Sequence, residues 1–292
     1  MPKKVFVTGC TGEVGSRLTL LLLENGYEVF GTSGSKICSI NNPRHTCRQL
    51  NLLSQSEVIG IKEIQPDVLV HTAWLTKPRE FWESDQNIEW VEASKRIINE
   101  FILSGGKYLI VTGSCAEYSW DTAIPLSEDS TELPTSAYGQ AKLDLLTWIR
   151  RQVIPFLWTR TFFQFGMNEP EGRLIPSLID SLHDGNEFVI RSSTDIRDFV
   201  YVEDVSKILY MLISQELTGV VNIGHGEEVQ VGTISRKISK LIGREELLRL
   251  EIGKNEKSYI VSDPKKLSSL IGNYTWTPLE SALKKTIEAR KH

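Results

Sequence analysis

The sequence predicts an α/β fold, a doubly wound parallel sheet followed by a smaller C-terminal lobe. Three observations predict it. Short β-branched runs alternate with longer amphipathic stretches over the first two thirds of the chain. A glycine-rich turn joins the first run to the first amphipathic stretch, and the texture changes after Phe165.

The first strand, Lys4–Thr8, rests on Val5-Phe6-Val7, and the helix after it, Glu13–Asn25, on the apolar helical spacing of Ser16–Leu23. Further strands are expected at Glu28–Gly31, Asp67–His71, Tyr108–Thr112 and Leu157–Thr161, with helices near Asp85–Ser104 and Ala137–Gln152. Beyond Phe165, Gly-Met-Asn-Glu-Pro-Glu-Gly, Ser-Ser-Thr-Asp and His-Gly-Glu-Glu punctuate shorter elements, while Val220–Ile223 reads as one more buried strand. The division expected is a dinucleotide-binding unit over 1–165, to which 198–224 returns, and a lobe over 166–292.

Composition narrows the function. With 292 residues, 40% hydrophobic and 24% charged, the chain is an ordinary globular protein of one large or two modest domains. A net charge of −4 without any block of like charges excludes the electrostatic footprint of a nucleic-acid or anionic-membrane binder. Leu18 to Leu23 is the longest apolar stretch, well short of the ~20 residues of a span, so no membrane anchor is expected. Cys10, Cys38, Cys47 and Cys115 show neither zinc-site spacing nor a disulfide framework, and the five histidines show no ligand spacing. No metal is expected, and a reducing cytoplasm fits the cysteine usage.

The chemistry starts at Thr8-Gly9-Cys10-Thr11-Gly12-Glu13-Val14-Gly15. Between a strand and a helix, such glycines permit a tight turn and let backbone approach a pyrophosphate at the positive helix end, the arrangement of a Rossmann dinucleotide site. Tyr138 and Lys142 stand four apart on a helical stretch, so an ammonium can lie near a phenol and lower its pKa from ~10. Ser114 follows the apolar strand at Tyr108–Val111, at the carboxyl end where ligands bind in open α/β sheets.

In this order these features resemble the extended short-chain dehydrogenase/reductase family of sugar-nucleotide epimerases, dehydratases and reductases. Thr8-Gly9-x-x-Gly12-x-x-Gly15 matches the glycine motif, His71-Thr72-Ala73 resembles the motif after the fourth strand, and Asn87 stands where a structural asparagine is usual. Arg197-Asp198-Phe199-Val200-Tyr201-Val202-Glu203-Asp204 resembles the segment whose arginine grips the substrate diphosphate. Val221-Asn222-Ile223-Gly224 and Trp276-Thr277-Pro278 match late motifs.

The resemblance implies roles. Tyr138 is the acid/base, Lys142 lowers its pKa and holds the nicotinamide ribose, and Ser114 hydrogen-bonds the reacting oxygen. Cofactor contacts are implied for Thr8, Gly9, Thr11, Gly12, Glu13, Val14 and Gly15, for Ser33, Asn51 and Leu52, and for Thr72, Ala73, Tyr138 and Lys142. Substrate contacts, to a nucleotide-diphosphate sugar, are implied for Trp74, Ser114, Cys115, Arg173 and Arg197, with Trp82 and Trp90 further candidates for the pocket wall or for packing.

Departures from the family pattern narrow the reaction. Dehydratases follow the catalytic Ser or Thr with Asp-Glu, whereas Ser114 is followed by Cys115-Ala116. Gly113-Ser114-Cys115-Ala116-Glu117-Tyr118 resembles the variant of short members that include nucleotide-sugar 4-ketoreductases such as CDP-abequose synthase. The expected activity is reduction of a nucleotide-linked 4-keto-6-deoxy sugar. A 4-epimerase with retained NAD is the alternative in the same class, and a non-catalytic dinucleotide sensor the alternative in another.

The cofactor expected is NADPH, with NADH possible, because no acid follows Val29 before Glu57 to receive the ribose hydroxyls. Lys36 and Arg44 are within reach of a 2′-phosphate in sequence. A homodimer is expected from the apolar faces formed by Val91, Ile98, Phe101 and Ile102 and by Leu145, Trp148 and Ile149.

Overall fold

The computed structural model describes residues 3–56, 60–78, 80–253 and 258–290. The first half runs β1 (Lys4–Thr8), α1 (Glu13–Glu24), β2 (Glu28–Ser33), β3 (His45–Gln49), α2 (Ile61–Ile64), β4 (Val68–His71), α3 (Gln86–Leu103), β5 (Tyr108–Ser114), α4 (Ala137–Ile149) and β6 (Phe156–Thr161). The second adds β7 (Phe163–Phe165), α5 (Leu174–His183), β8 (Phe188–Ile190), β9 (Ile196–Arg197), β10 (Phe199–Tyr201), α6 (Val202–Ser214) and β11 (Gly219–Ile223). Then follow β12 (Val229–Gln230), α7 (Val231–Ile242), β13 (Leu248–Leu250), β14 (Tyr259–Ile260), α8 (Lys265–Ile271) and α9 (Leu279–Glu288).

Seven strands pair in parallel in the order β11-β6-β5-β4-β1-β2-β3, the doubly wound arrangement. Strand order reverses between β1 and β4, so the carboxyl ends of these neighbours open a crevice between diverging connections. The glycine turn, Thr72 and Ser114 all follow strands that end there.

Alternation along the inner strands divides the core. Val5, Val7, Val68, Val70 and Ile110 pack with Leu18 and Leu22 of α1 and Leu209 of α6. Phe6, Leu69, Leu109 and Val111 point the other way, onto Ile97 and Phe101 of α3 and Leu145 of α4. A third core joins Leu178 of α5, Ile234 and Ile238 of α7 and Leu283 of α9. It belongs to the smaller lobe. Ile260 and Leu267 pack in the first core together with Val221 of β11.

Two features go beyond the sequence pattern. The segment before α2 contains a strand the pattern does not reveal, since His-Thr-Cys-Arg-Gln is polar and β3 is an edge strand with a largely exposed face. The apolar residues adduced for a dimer are consumed by the chain's own core: Val91, Ile98, Phe101, Leu145 and Ile149 are buried against the sheet, and Ile102 and Trp148 are partly buried beside them. Ile88 and Leu103 of α3 are exposed. Among the described residues, no helix is long and apolar enough to cross a membrane.

Candidate active site

The turn after β1 is as tight as its glycines allow. Gly9 has a φ of 70°, a conformation costly for other residues, and its carbonyl accepts from Gly12 N at 2.9 Å. At Gly15 a Cβ would stand 2.2 Å from the Gly9 carbonyl oxygen, backbone that cannot swing aside. α1 therefore starts directly behind the turn, and no side chain caps its N-terminus at Gly12. Free helical N–H groups at a positive helix end, reached only past glycine, fit a dinucleotide pyrophosphate. Val14 packs inward. The Glu13 carboxylate turns away to Arg17 at 3.5 Å and to Asn168 N at 3.3 Å. Replacing Gly15 by alanine should distort this turn at a cost of about 1–3 kcal/mol and weaken dinucleotide binding ~10-fold or more, measured by titration calorimetry.

A chain of hydrogen bonds ties β1 to β4. Ala73 N donates to Thr8 Oγ1 at 3.3 Å, and Thr8 Oγ1 lies 2.8 Å from His71 Nδ1. His71 Nε2 lies 2.8 Å from Ser94 Oγ, whose own proton goes to the Trp90 carbonyl at 2.6 Å. Ser94 must then accept from Nε2–H, so Nδ1 accepts from Thr8 and every proton is placed. Burial, reinforced by the Lys142 charge, pushes His71 down to about 3, keeping it neutral. Thr72 Oγ1 donates to the Thr8 carbonyl at 2.7 Å. This network holds the glycine turn against the Thr72–Ala73 segment.

Further along the crevice stand Ser114, Tyr138 and Lys142. Ser114, at the end of β5, accepts from Ala116 N at 3.2 Å and caps a short turn over Cys115–Glu117. Tyr138 is in the first turn of α4, its N–H donating to the Trp82 carbonyl at 2.9 Å. Phe81 and Trp82 meet its ring edge-on at 5.0 and 5.7 Å between centroids. Burial pushes the phenol up to about 12, against the pull of a hydrogen bond with Ser114. The expected lowering by Lys142 is therefore not what decides this phenol in the chain itself.

The reason is where the amine goes. Lys142 Nζ donates to the Thr112 carbonyl at 2.8 Å and lies 3.7 Å from the centroid of the Trp74 ring, but 5.9 Å from that of Tyr138. Burial pushes this amine down to about 7, opposed by the Glu117 carboxylate. Trp74 is buried, with Nε1 donating to Asn87 Oδ1 at 3.0 Å, and supports the lysine rather than lining an open wall. Asn87 is structural as expected: its Nδ2 donates to the Phe81 and Ser84 carbonyls at 2.7 and 2.9 Å.

One residue of the site carried no assigned role in the sequence. Glu117, fully buried, accepts from Ser114 N at 2.7 Å, from Trp158 Nε1 through both oxygens, and from Arg160 Nε at 2.6 Å. It fixes the backbone of Ser114 from beneath. An acidic residue inside an otherwise apolar, strand-following segment was the available signal, but its partner is 43 positions away on β6.

The remaining predicted residues divide. Arg173 lies 4.3 Å from the Phe81 ring centroid and is close enough to Tyr138 to lower its phenol slightly. Arg197 is held by Asp195 at 2.9 Å and by the Ile196 and Ser258 carbonyls, with its guanidinium over Phe163. Cys115 is buried, its thiol pushed up to about 12, so it is no nucleophile. Ser33 is buried at the end of β2, and Leu52 belongs to the core. Asn51 Oδ1 accepts from Leu53 N at 3.1 Å, shaping the bend after β3. The late motifs are structural: Asn222 Oδ1 accepts from Tyr118, Asp198 from His225 N, Gly226 N and Ser262, and Asp204 from Tyr274 and Thr277. The fold also gathers Cys10, Cys38 and His45 within 4.8 Å of one another, a convergence that their spacing does not reveal.

Residues 5–224 match the model of the NAD dependent epimerase/dehydratase family. A UDP-glucose 4-epimerase of Corynebacterium glutamicum is 24% identical over 260 residues, 78% of this chain and 77% of that protein. A GDP-6-deoxy-D-talose 4-dehydrogenase of Aggregatibacter actinomycetemcomitans is 25% identical over 221 residues, 73% of this chain and 70% of that one. In fold, the chain is similar to a UDP-N-acetylglucosamine 4-epimerase from Methanobrevibacter ruminantium solved with UDP-N-acetylmuramic acid. The TM-score is 0.85 at 21% identity, covering 99% of this chain and 98% of that one.

Proposed function

The chain belongs to the NAD dependent epimerase/dehydratase family, enzymes of oxidoreductase type, and from that premise we propose that it reduces the 4-keto group of a nucleotide-linked 6-deoxy sugar with NADPH. One observation carries the reading: the two residues after Ser114 are Cys115 and Ala116, both buried, the first with its thiol pushed up to about 12. Neither can remove a proton and deliver it to a departing hydroxyl. Dehydration thus has no acid/base pair here, while the Tyr138 phenol holds its proton throughout the neutral range.

A nicotinamide bound in the crevice supplies the hydride. The chain's own residues do the rest: Tyr138 donates the proton to the reduced oxygen, Ser114 hydrogen-bonds that oxygen, Glu117 anchors the Ser114 backbone, and Lys142 is the cation for the nicotinamide ribose. Arg173 and Arg197 are the cations for the substrate diphosphate. β2 ends at Thr32-Ser33 and runs on as Gly34-Ser35-Lys36, without the carboxylate that would repel a 2′-phosphate. Similarity to a 4-dehydrogenase of a GDP-linked 6-deoxy sugar supports the sugar class.

The second reading is a 4-epimerase with retained NAD, favoured by the similarity to a UDP-glucose 4-epimerase over 78% of the chain. Stoichiometry separates them. Across a panel of 4-keto sugar nucleotides, the reductase should oxidise one NADPH per sugar converted, faster than NADH. Conversion of a sugar nucleotide without net oxidation of either cofactor assigns the epimerase.

A further inference from the structure

Cys10, Cys38, His45 and Cys47 converge at the edge of the sheet beneath the glycine turn. Cys10 is fully buried within that turn, Cys38 lies in the β2–β3 connection, and His45 and Cys47 stand two apart on β3, on one face of the strand. The sulfurs of Cys10 and Cys38 and a ring nitrogen of His45 are all within 4.8 Å of one another. Cys47 Sγ is 3.3 Å from Cys10 Sγ, placing a fourth donor beside them. A tetrahedron with Zn–S bonds of ~2.3 Å has sulfur–sulfur edges of ~3.8 Å, to which the Cys10–Cys47 pair is already close, while the other donors draw in from within 4.8 Å.

Two details point to a ligand. His45 Nδ1 lies 3.4 Å from the Ile40 carbonyl and 4.0 Å from Cys38 Sγ, and the other ring nitrogen is Nε2. That Nε2 is buried and has no hydrogen-bond partner. It faces the space left open by Gly31: a Cβ there would stand 3.5 Å from Nε2 and 2.5 Å from Cys10 Sγ. A buried imidazole nitrogen without a hydrogen-bond partner, on a ring set among three thiols, is a donor set that a structural metal can use.

We propose that Cys10, Cys38, Cys47 and the His45 imidazole bind one Zn²⁺, which clamps the glycine turn to the β2–β3 edge of the sheet. Three thiols and an imidazole select zinc among the common divalent ions, and a closed four-ligand set makes the site structural. On binding, each thiol gives its proton to solvent, three Zn–S bonds and one Zn–N bond form, and the aqueous ion loses its waters. Burial raises the Cys10 and Cys47 thiols above their ordinary range, so without a metal they are poor thiolates. The site is independent of whether the enzyme is reductase or epimerase.

Cobalt reads it directly. Full-length protein, purified with reductant and chelator and then titrated with Co²⁺ without oxygen, should bind one ion per chain. Thiolate-to-cobalt charge transfer should appear in the near ultraviolet with tetrahedral bands in the visible, and Zn²⁺ should bleach both. Cys38→Ser and His45→Gln, outside the glycine turn and verified folded by circular dichroism, should each lose these bands and retain no zinc by elemental analysis. Wild-type protein with no charge-transfer band, binding undiminished in both variants, or a Cys10–Cys47 disulfide in protein from a reducing cytoplasm with no zinc bound would each overturn the proposal. If the variants fail to fold, the wild-type spectrum and stoichiometry still decide it.

Discussion

Tyr138→Phe should lower kcat by ~10²–10⁴ while leaving the fold and dinucleotide affinity nearly unchanged. The substitution removes one oxygen and nothing else. The ring keeps its edge-on contacts with Phe81 and Trp82, and the backbone N–H keeps its bond to the Trp82 carbonyl. What disappears is the hydroxyl hydrogen-bonded to Ser114, the group that in reduction must deliver a proton as charge builds on the ketone oxygen. Because burial pushes this phenol up to about 12, the acid form is populated throughout the neutral range, and the wild-type rate of reduction should not fall between about pH 6 and 8 through loss of this proton. Single-turnover reduction measured in both proteins checks the claim. A variant that turns over like wild type would remove Tyr138 from the chemistry, whatever reaction the enzyme performs.

The main elements were legible because parallel strands buried on both faces announce themselves as apolar runs, and because a glycine turn between strand and helix is local in sequence. Lys4–Thr8, with Val5 and Val7 facing one layer and Phe6 the other, is such a case. Ser114 and Tyr138 could be placed because each follows a recognisable local pattern. What escaped is non-local. Nothing in the spacing of Cys10, Cys38, His45 and Cys47 signals convergence, since their juxtaposition depends on a polar edge strand and on Gly31 lying opposite Cys47 in the register. Helical amphipathicity reports that a face is buried, not whether sheet or partner buries it. The spacing of Tyr138 and Lys142 likewise placed them on one helix face but could not show that the Trp74 ring and the Thr112 carbonyl would claim the amine.

Glu117→Ala should cost about 3–5 kcal/mol of stability, the loss typical of breaking a buried ion pair from one side. Register sets up the dependence: Gly113 on β5 lies opposite Arg160 on β6, so the turn after Ser114 folds its carboxylate back over a fully buried guanidinium. Alanine would leave Arg160 with only the part-exposed Glu132 carboxylate and the Tyr118 ring at 4.3 Å, and would orphan the Trp158 and Ser114 N–H groups. Arg160 already has one nitrogen, NH1, without a partner, so little slack remains to absorb the loss. Glu117→Gln keeps shape and one carbonyl acceptor, so it should destabilise less and expose the second role. With Ser114 less firmly anchored, kcat should fall while the KM for the sugar nucleotide changes little, a split that a purely structural residue would not produce. Replacing both partners, Glu117→Met with Arg160→Met, removes the uncompensated charge and should recover much of the stability lost by alanine, though not the positioning of Ser114. Chemical denaturation of the three variants, read beside their kinetics, tests the whole chain of dependence; equal stability of Glu117→Ala and wild type would show that the buried pair does not hold this part of the site.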